Sequence, residues 1–291
     1  MTIKNQKPRV LVLGASGMLG NALFRLFSQS DKFITIGAVR SSGPLGQLPE
    51  ALHKNIVHGV DVSDMDNIHR LFASIRPDVV INCVGLVKQL MEVDDPLVAV
   101  PINSLLPHRI ARLCDVAGAR LIHVSTDCVF SGCRGNYRED DYPDANDLYG
   151  RSKYLGEVDY PHAITFRTSI IGHELSSAHG LVNWFLGQQE QVKGYTNAIF
   201  SGLPTIELAR VIRDLIIPNT GMRGVYHISA EPISKFDLLQ LIAKVYDKKI
   251  IINADDALKI DRSLNSDRFR MVAGYVPPSW PDLIQQMYEF R

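Results

Sequence analysis

Arg9-Val10-Leu11-Val12-Leu13, followed by Gly14-Ala15-Ser16-Gly17-Met18-Leu19-Gly20, reads as a strand, a glycine turn and the start of a helix. Val10 to Leu13 is a continuous apolar run of strand length, the pattern of a strand covered on both faces in a parallel sheet. The glycines then stand at G-x-x-G-x-x-G spacing, and from Met18 onward Leu19, Leu23, Leu26 and Phe27 recur with helical period. Glycines in that place let the backbone approach a pyrophosphate, whose charge the unpaired N–H groups of the helix start would meet. A structural βα turn would explain the glycines alone; their position between strand and helix favours a dinucleotide site built from Gly14, Ser16, Gly17, Met18, Leu19 and Gly20.

Outward from this unit the alternation repeats. Phe33 to Val39 and Asn55 to Val60 have strand character, Ser63 to Ile75 is a helix that stops before Pro77, and Asp78 to Cys83 is another buried-type strand. A helix across Ile102 to Ala117 closes at Gly118, and Arg120 to Val124 returns to strand. The order predicts an α/β fold, a doubly wound parallel Rossmann sheet with right-handed crossovers. After Arg167 the rhythm weakens: small and polar residues cluster in Gly172 to Gly180, a helix-like stretch carries Trp184 and Phe185, and Gly194 to Gly202 reads as a loop. Helical pattern resumes at Thr205 to Ile217, strand pattern at Gly224 to Ile228 and helix at Ser234 to Tyr246. Residues 1–170, with 203–228 returning to them, are expected to form the dinucleotide-binding domain. Residues 171–202 and 229–291 are expected to form a smaller, interleaved substrate-binding lobe over the carboxyl edge of the sheet, where such folds bind ligands.

Composition narrows the function. The chain has 291 residues with 31 Lys+Arg against 31 Asp+Glu, so nothing in its charge favours nucleic acid or an anionic membrane as partner. Hydrophobic residues make up 46% and charged residues 21%, enough apolar material for one large core or a core with a satellite. No apolar run is long enough to span a bilayer. The polar segment Met1 to Arg9, with Lys4, Lys7 and Arg9, lacks the pattern of a secretory signal, and the expected location is the cytoplasm. Cys83, Cys114, Cys128 and Cys133 match neither a zinc spacing nor a disulfide scaffold and read as reduced bystanders. The nine histidines show no ligand spacing, so no catalytic metal is expected.

Further residues point to a nicotinamide cofactor and a carbonyl substrate. The second strand ends in Val39-Arg40-Ser41 without an acid; a carboxylate there would bind a ribose hydroxyl, whereas an arginine accommodates a 2′-phosphate. NADP (NADPH) is therefore favoured over NAD, with Arg40 and Ser41 at the phosphate. Asp61-Val62 after the third strand is placed to border the adenine, unless Asp61 only caps the next helix. Tyr149 and Lys153 stand at i and i+4 on a helical segment and so share a face. A nearby ammonium favours the phenolate, making a usable acid and base of a group that ordinarily titrates near 10. Ser125-Thr126-Asp127 ends a strand at the carboxyl edge, where hydroxyls can hydrogen-bond a substrate carbonyl. Lys88, Lys193 and Arg268 are candidates for a substrate diphosphate. Trp184 and Phe185 either flank a sugar or base or belong to the lobe core.

Taken together, these elements resemble the extended short-chain dehydrogenase/reductases, and within them the dTDP-4-dehydrorhamnose reductase family. The resemblance rests on Gly14 to Gly20, Asn82-Cys83-Val84-Gly85, Asn103, Ser125-Thr-Asp-Cys-Val-Phe-Ser-Gly132, Tyr149-Gly-Arg-Ser-Lys-Tyr-Leu-Gly-Glu157, Arg167-Thr-Ser and Gly202-Leu-Pro-Thr205. It implies that Thr126 orients a keto oxygen, Tyr149 gives it a proton, and Lys153 binds the nicotinamide ribose. Cys83, Val84 and Gly85 would then border the nicotinamide, Asn103 would support Lys153, and Arg167 would lie at the cofactor. The implied substrate is a nucleotide-linked 4-keto-6-deoxyhexose of surface polysaccharide synthesis, with Cys128 beside the sugar. Dehydratases of the wider group carry an acid at the position of Cys128, and epimerases usually lack the Ser-Thr-Asp-x-Val-Phe run, so reduction is the favoured chemistry. Two alternatives stay open: an epimerase or epimerase-reductase, and a regulatory subunit such as the beta subunit of methionine adenosyltransferase, which resembles the same group. The oligomeric state is open between monomer and homodimer.

Overall fold

The structure, a computed structural model, describes residues 6–88 and 91–291; residues 1–5, including Lys4 of the polar N-terminal segment, lie outside the described residues. Seven parallel strands form the central sheet: β1 (Arg9–Leu13), β2 (Ile34–Ala38), β3 (Ile56–Val57), β4 (Val79–Asn82), β5 (Arg120–Val124), β6 (Ala163–Arg167) and β7 (Gly224–His227). Their order is β7-β6-β5-β4-β1-β2-β3, which reverses direction between β1 and β4. The register brings Leu13 level with Ala38 and Asn82, Val124 with Phe166, and His227 with Arg167, so the carboxyl ends form one edge. Ligands bind doubly wound sheets at that edge, at the reversal.

The apolar run of β1 is continuous because both faces are covered. Val10 and Val12 pack with Leu23, Phe24 and Phe27 of the helix Met18–Ser28, whereas Leu11 and Leu13 pack with Ile68, Phe72 and Ile110. Each such side chain contributes about 1.5–3 kcal/mol by leaving water. A third cluster, containing Val182, Phe185, Phe200, Leu238, Ile242 and Ile284, forms a separate apolar core in the later part of the chain, which is called the lobe below. The C-terminal segment serves both layers, since Phe269, Tyr275 and Leu283 pack in the sheet's core.

Some segments differ from the sequence reading. The expected loop Gly194 to Gly202 contains the strand Ala198–Phe200, which pairs antiparallel with Ile233–Ser234 and parallel with Ile260–Asp261. Three residues carry no usable periodicity, so only their distant partners make them a strand. The expected helix Ile102 to Ala117 is α-helical over Leu106–Ala117 and wider, π-type, over Val100–Leu105. Among the described residues no helix is long and apolar enough to cross a membrane.

Candidate active site

A cavity of about 810 Å³ opens over the carboxyl edge at the β1/β4 reversal. One end is the glycine turn. Gly14 adopts φ +78°, and a Cβ on Gly20 would lie 2.1 Å from the Gly14 carbonyl oxygen, so only glycine allows the helix to start this close to the strand. Ser16, Gly17, Met18, Leu19 and Gly20 line the cavity, with the helix N-terminus facing it. Arg40, exposed at the end of β2, lines the same end. Ser41, Asp61 and Val62 do not line it. Asp61 instead accepts the Ser63 hydroxyl and N–H at 2.7 and 2.9 Å, bonds that hold its carboxyl below the usual range, with the Arg40 charge a smaller contribution.

The opposite wall carries the reactive candidates. Thr126, Asp127 and Cys128 follow β5, and Tyr149 and Lys153 project from the helix Leu148–Leu155. Asp147 caps that helix through the Gly150 N–H at 2.7 Å. Gly150 then allows close contact with the strand end, for a Cβ there would lie 2.3 Å from the Cys128 carbonyl oxygen. The Thr126 hydroxyl donates to Asp127 at 3.1 Å and accepts the Cys128 N–H at 3.1 Å. Lys153 is buried and its ammonium donates to the Val124 carbonyl at 2.9 Å. Burial lowers Lys153 to about 8, opposed by the Glu157 charge.

Tyr149 departs from the sequence expectation. Although half-buried, it has its phenol pushed above the ordinary range, chiefly by burial, with its contact to the Thr126 hydroxyl acting the other way. The Lys153 ammonium is turned to the Val124 carbonyl and is not among the groups that shift the phenol. Cys83 and Cys128 both line the cavity as thiols pushed up to about 12 by burial, so neither is a thiolate at neutral pH.

Other candidates act from behind the wall. Asn103, in the π-type turn, accepts the Leu86 N–H at 2.9 Å and donates to Ser152 at 3.2 Å, tying the loop that holds Val84 and Gly85 to the helix of Lys153. Asn82 supports the same loop, accepting the Val84 N–H at 3.1 Å and facing His123 Nδ1 at 3.2 Å. The amide's oxygen is thereby committed to Val84, so its nitrogen donates to His123, and burial keeps that imidazole neutral. Arg167 lies beneath the site, paired with Glu157.

Among cations, Lys88 lines the cavity but pairs with Asp147. Lys193 is bound to Asp255, and Arg268 lies over the Tyr226 ring, both away from the cavity. Trp184 also lies off the cavity, and Phe185 belongs to the lobe core. The sequence reading missed Lys235, Arg262 and Glu174, which line the lobe side. No local motif marks them; the short strands of the lobe bring Lys235 and Arg262 beside Ala198–Phe200.

The sheet order, the glycine turn and the cavity at the reversal define a Rossmann-like α/β protein with a dinucleotide-type turn. The chain belongs to the RmlD substrate binding domain family, whose model matches residues 8–289. It is 27% identical over 274 residues, 90% of this chain and 86% of the relative, to the probable low-salt glycan biosynthesis reductase Agl14 of Haloferax volcanii. It is 29% identical over 253 residues, 82% of this chain and 74% of the relative, to methionine adenosyltransferase 2 subunit beta of Danio rerio. The structure of dTDP-4-dehydrorhamnose reductase from Bacillus anthracis str. Ames in complex with NADP matches with TM-score 0.78 at 22% identity, covering 97% of this chain and 99% of that one. That last likeness is one of fold.

Proposed function

We propose that the protein reduces the ketone of a nucleotide-linked 4-keto-6-deoxy sugar with NADPH, in the synthesis of a glycan precursor. The observation that carries this reading is the convergence of Thr126, Tyr149 and Lys153 on one cavity whose far end is the glycine turn and Arg40. The residues present fit a dinucleotide: glycines exclude side chains where the pyrophosphate would approach, and a helix N-terminus meets its charge. The bound cofactor supplies the hydride that the ketone carbon takes up.

Thr126 turns its hydroxyl proton from Asp127 to the ketone oxygen, and Asp127 keeps the side chain in place. Tyr149 gives the oxygen its proton as charge develops there, so that hydride and proton together make the alcohol. A phenol held protonated by burial is ready to donate, and Lys153 as an ammonium stabilises the phenolate left behind. Lys153 would also hold the nicotinamide ribose. Arg40, at the same end of the cavity as the glycine turn, would read the 2′-phosphate.

A panel of dTDP- and UDP-linked 4-keto-6-deoxyhexoses, followed by the loss of reduced nicotinamide absorbance with NADPH and with NADH, tests the proposal. Stoichiometric oxidation with one sugar, faster with NADPH, is expected. The identity to the methionine adenosyltransferase subunit favours a second reading, a non-catalytic subunit of the same fold. Tight NADPH binding without oxidation by any sugar would replace the first reading with the second.

A further inference from the structure

Glu157 and Arg167 lie beneath the cavity wall, their side chains 5% and 4% exposed. Arg167 grips the carboxylate through two parallel bonds, Nε to Oε1 and Nη2 to Oε2, each 2.8 Å. Glu157 Oε1 also accepts the Ser125 hydroxyl at 2.8 Å, which ties the carboxylate to the residue before Thr126. Gly156 makes the placement possible. A Cβ there would lie 1.9 Å from the Asn103 carbonyl oxygen, so the chain passes hard against the π-type turn before Glu157. A buried ion pair gives little net stability, since desolvating two charges offsets their attraction. Replacement by an apolar pair of similar volume would often be neutral, so the charges point to a task at the site.

Three titratable groups act electrostatically on or with Lys153: Glu157 just past the end of its helix, Cys83 after β4, and His123 on β5. Tyr149 stands one turn earlier on the same helix. Cys83 and His123 are neutral at physiological pH, Cys83 as a thiol and His123 as an uncharged imidazole, leaving Glu157 as the charged partner. Arg167 in turn is backed by His227 Nε2 at 3.3 Å, which fixes the guanidinium from its other side.

We infer that Glu157 and Arg167 are a positioning pair for the reaction proposed above: the carboxylate anchors Ser125, next to the Val124 carbonyl that holds the Lys153 ammonium, and so sets its charge behind Lys153 and Thr126, while Arg167 fixes the carboxylate there. The inference rests on the reductase reading for its purpose, but its electrostatic content is measured without turnover. In protein labelled with ¹⁵N-lysine, the Lys153 Nζ resonance, assigned by its loss in Lys153→Arg, is titrated by NMR. Glu157→Gln keeps an acceptor for Ser125 and removes the charge. Glu157→Gln combined with Arg167→Gln removes both charges, so that no lone buried cation opposes folding.

The Lys153 midpoint is expected to fall by about one pH unit or more in both variants, at least a tenfold change in its proton equilibrium. Glu157→Asp, which keeps the charge, should restore most of the shift. The high-pH limb of kcat/KM should move to lower pH with the midpoint, because Lys153 loses its proton earlier. A midpoint unmoved in the folded double variant overturns the proposal. A midpoint that moves while kcat/KM keeps its limb, or while the unsubstituted protein turns over no sugar, upholds the control of Lys153 and overturns the reductase reading instead.

Discussion

Tyr149 and Lys153 show how one spacing yields two different environments. Four residues apart on a helix, they share a face, yet the lysine ammonium turns to the Val124 carbonyl while the phenol meets the wall formed by Thr126 and Cys128. Burial acts oppositely on the two, favouring the neutral form of each: the phenol rises and the ammonium falls to about 8. Removing the phenolic hydroxyl by Tyr149→Phe should lower kcat by about 10²- to 10⁴-fold, the usual worth of a positioned proton donor. NADPH affinity, followed by nicotinamide fluorescence, should stay unchanged; full turnover in that variant would rule out the proposed donor. In the proposed reaction Arg40 has a separate task, reading the 2′-phosphate. Arg40→Ala should weaken NADPH by roughly 10- to 100-fold, the scale of a charge-assisted contact, and leave NADH untouched. Equal losses for both cofactors would assign Arg40 some other role.

At the scale of the element, close backbone contacts position the site. The helix of Tyr149 approaches the end of β5 because Gly150 has no side chain to meet the Cys128 carbonyl. Gly150→Ala should therefore destabilise the protein by about 1–3 kcal/mol and lower kcat/KM, as the helix is pushed from the strand end. Urea unfolding midpoints measured beside turnover would test both effects, and an unchanged midpoint would show that the contact relaxes freely. The glycine of this motif was legible as a letter in Tyr149-Gly-Arg-Ser-Lys153, but its reason was not. The backbone it must clear is more than twenty residues away in sequence. The same holds for Asn103, whose two amide atoms join the loop of Gly85 to the helix of Lys153 from within a turn wider than an α-helix.

The whole molecule buries titratable groups at the same carboxyl edge, and this sets its response to acid. His227, fully buried, donates Nδ1–H to the Tyr137 carbonyl at 3.0 Å and faces Arg167 through Nε2. Burial and the arginine lower its pKa to about 3. Below the ordinary histidine range near 6.5 the unfolded chain takes up a proton that the folded chain refuses until about pH 3. Stability should therefore fall as pH drops through that window, by about 1.4 kcal/mol per pH unit for one such group. His123, lowered well below the ordinary value, adds to the slope in the same direction. Melting temperatures between pH 7 and 4 should decline steeply and less so in His227→Asn; parallel curves for the two proteins would place the acid sensitivity elsewhere.

Local chemistry was enough to read the sheet, the glycine turn and the shared face of Tyr149 and Lys153. An apolar run, a helical period and an i to i+4 spacing are properties of neighbours in the chain, and neighbours are what a sequence displays. Boundaries of β2 to β5 accordingly fall within a few residues of their expected limits. The strand Ala198–Phe200, the placement of Arg167 under Glu157, and the choice of Lys235 and Arg262 over Lys193 and Arg268 as cavity-lining cations were decided only by tertiary structure. Each depends on partners 10 to more than 60 residues away, or on burial, which exists only once the chain has excluded water. The direction in which Tyr149 titrates belongs to that second kind: the helix supplies a lysine four residues on, but the folded cavity raises the phenol by desolvation.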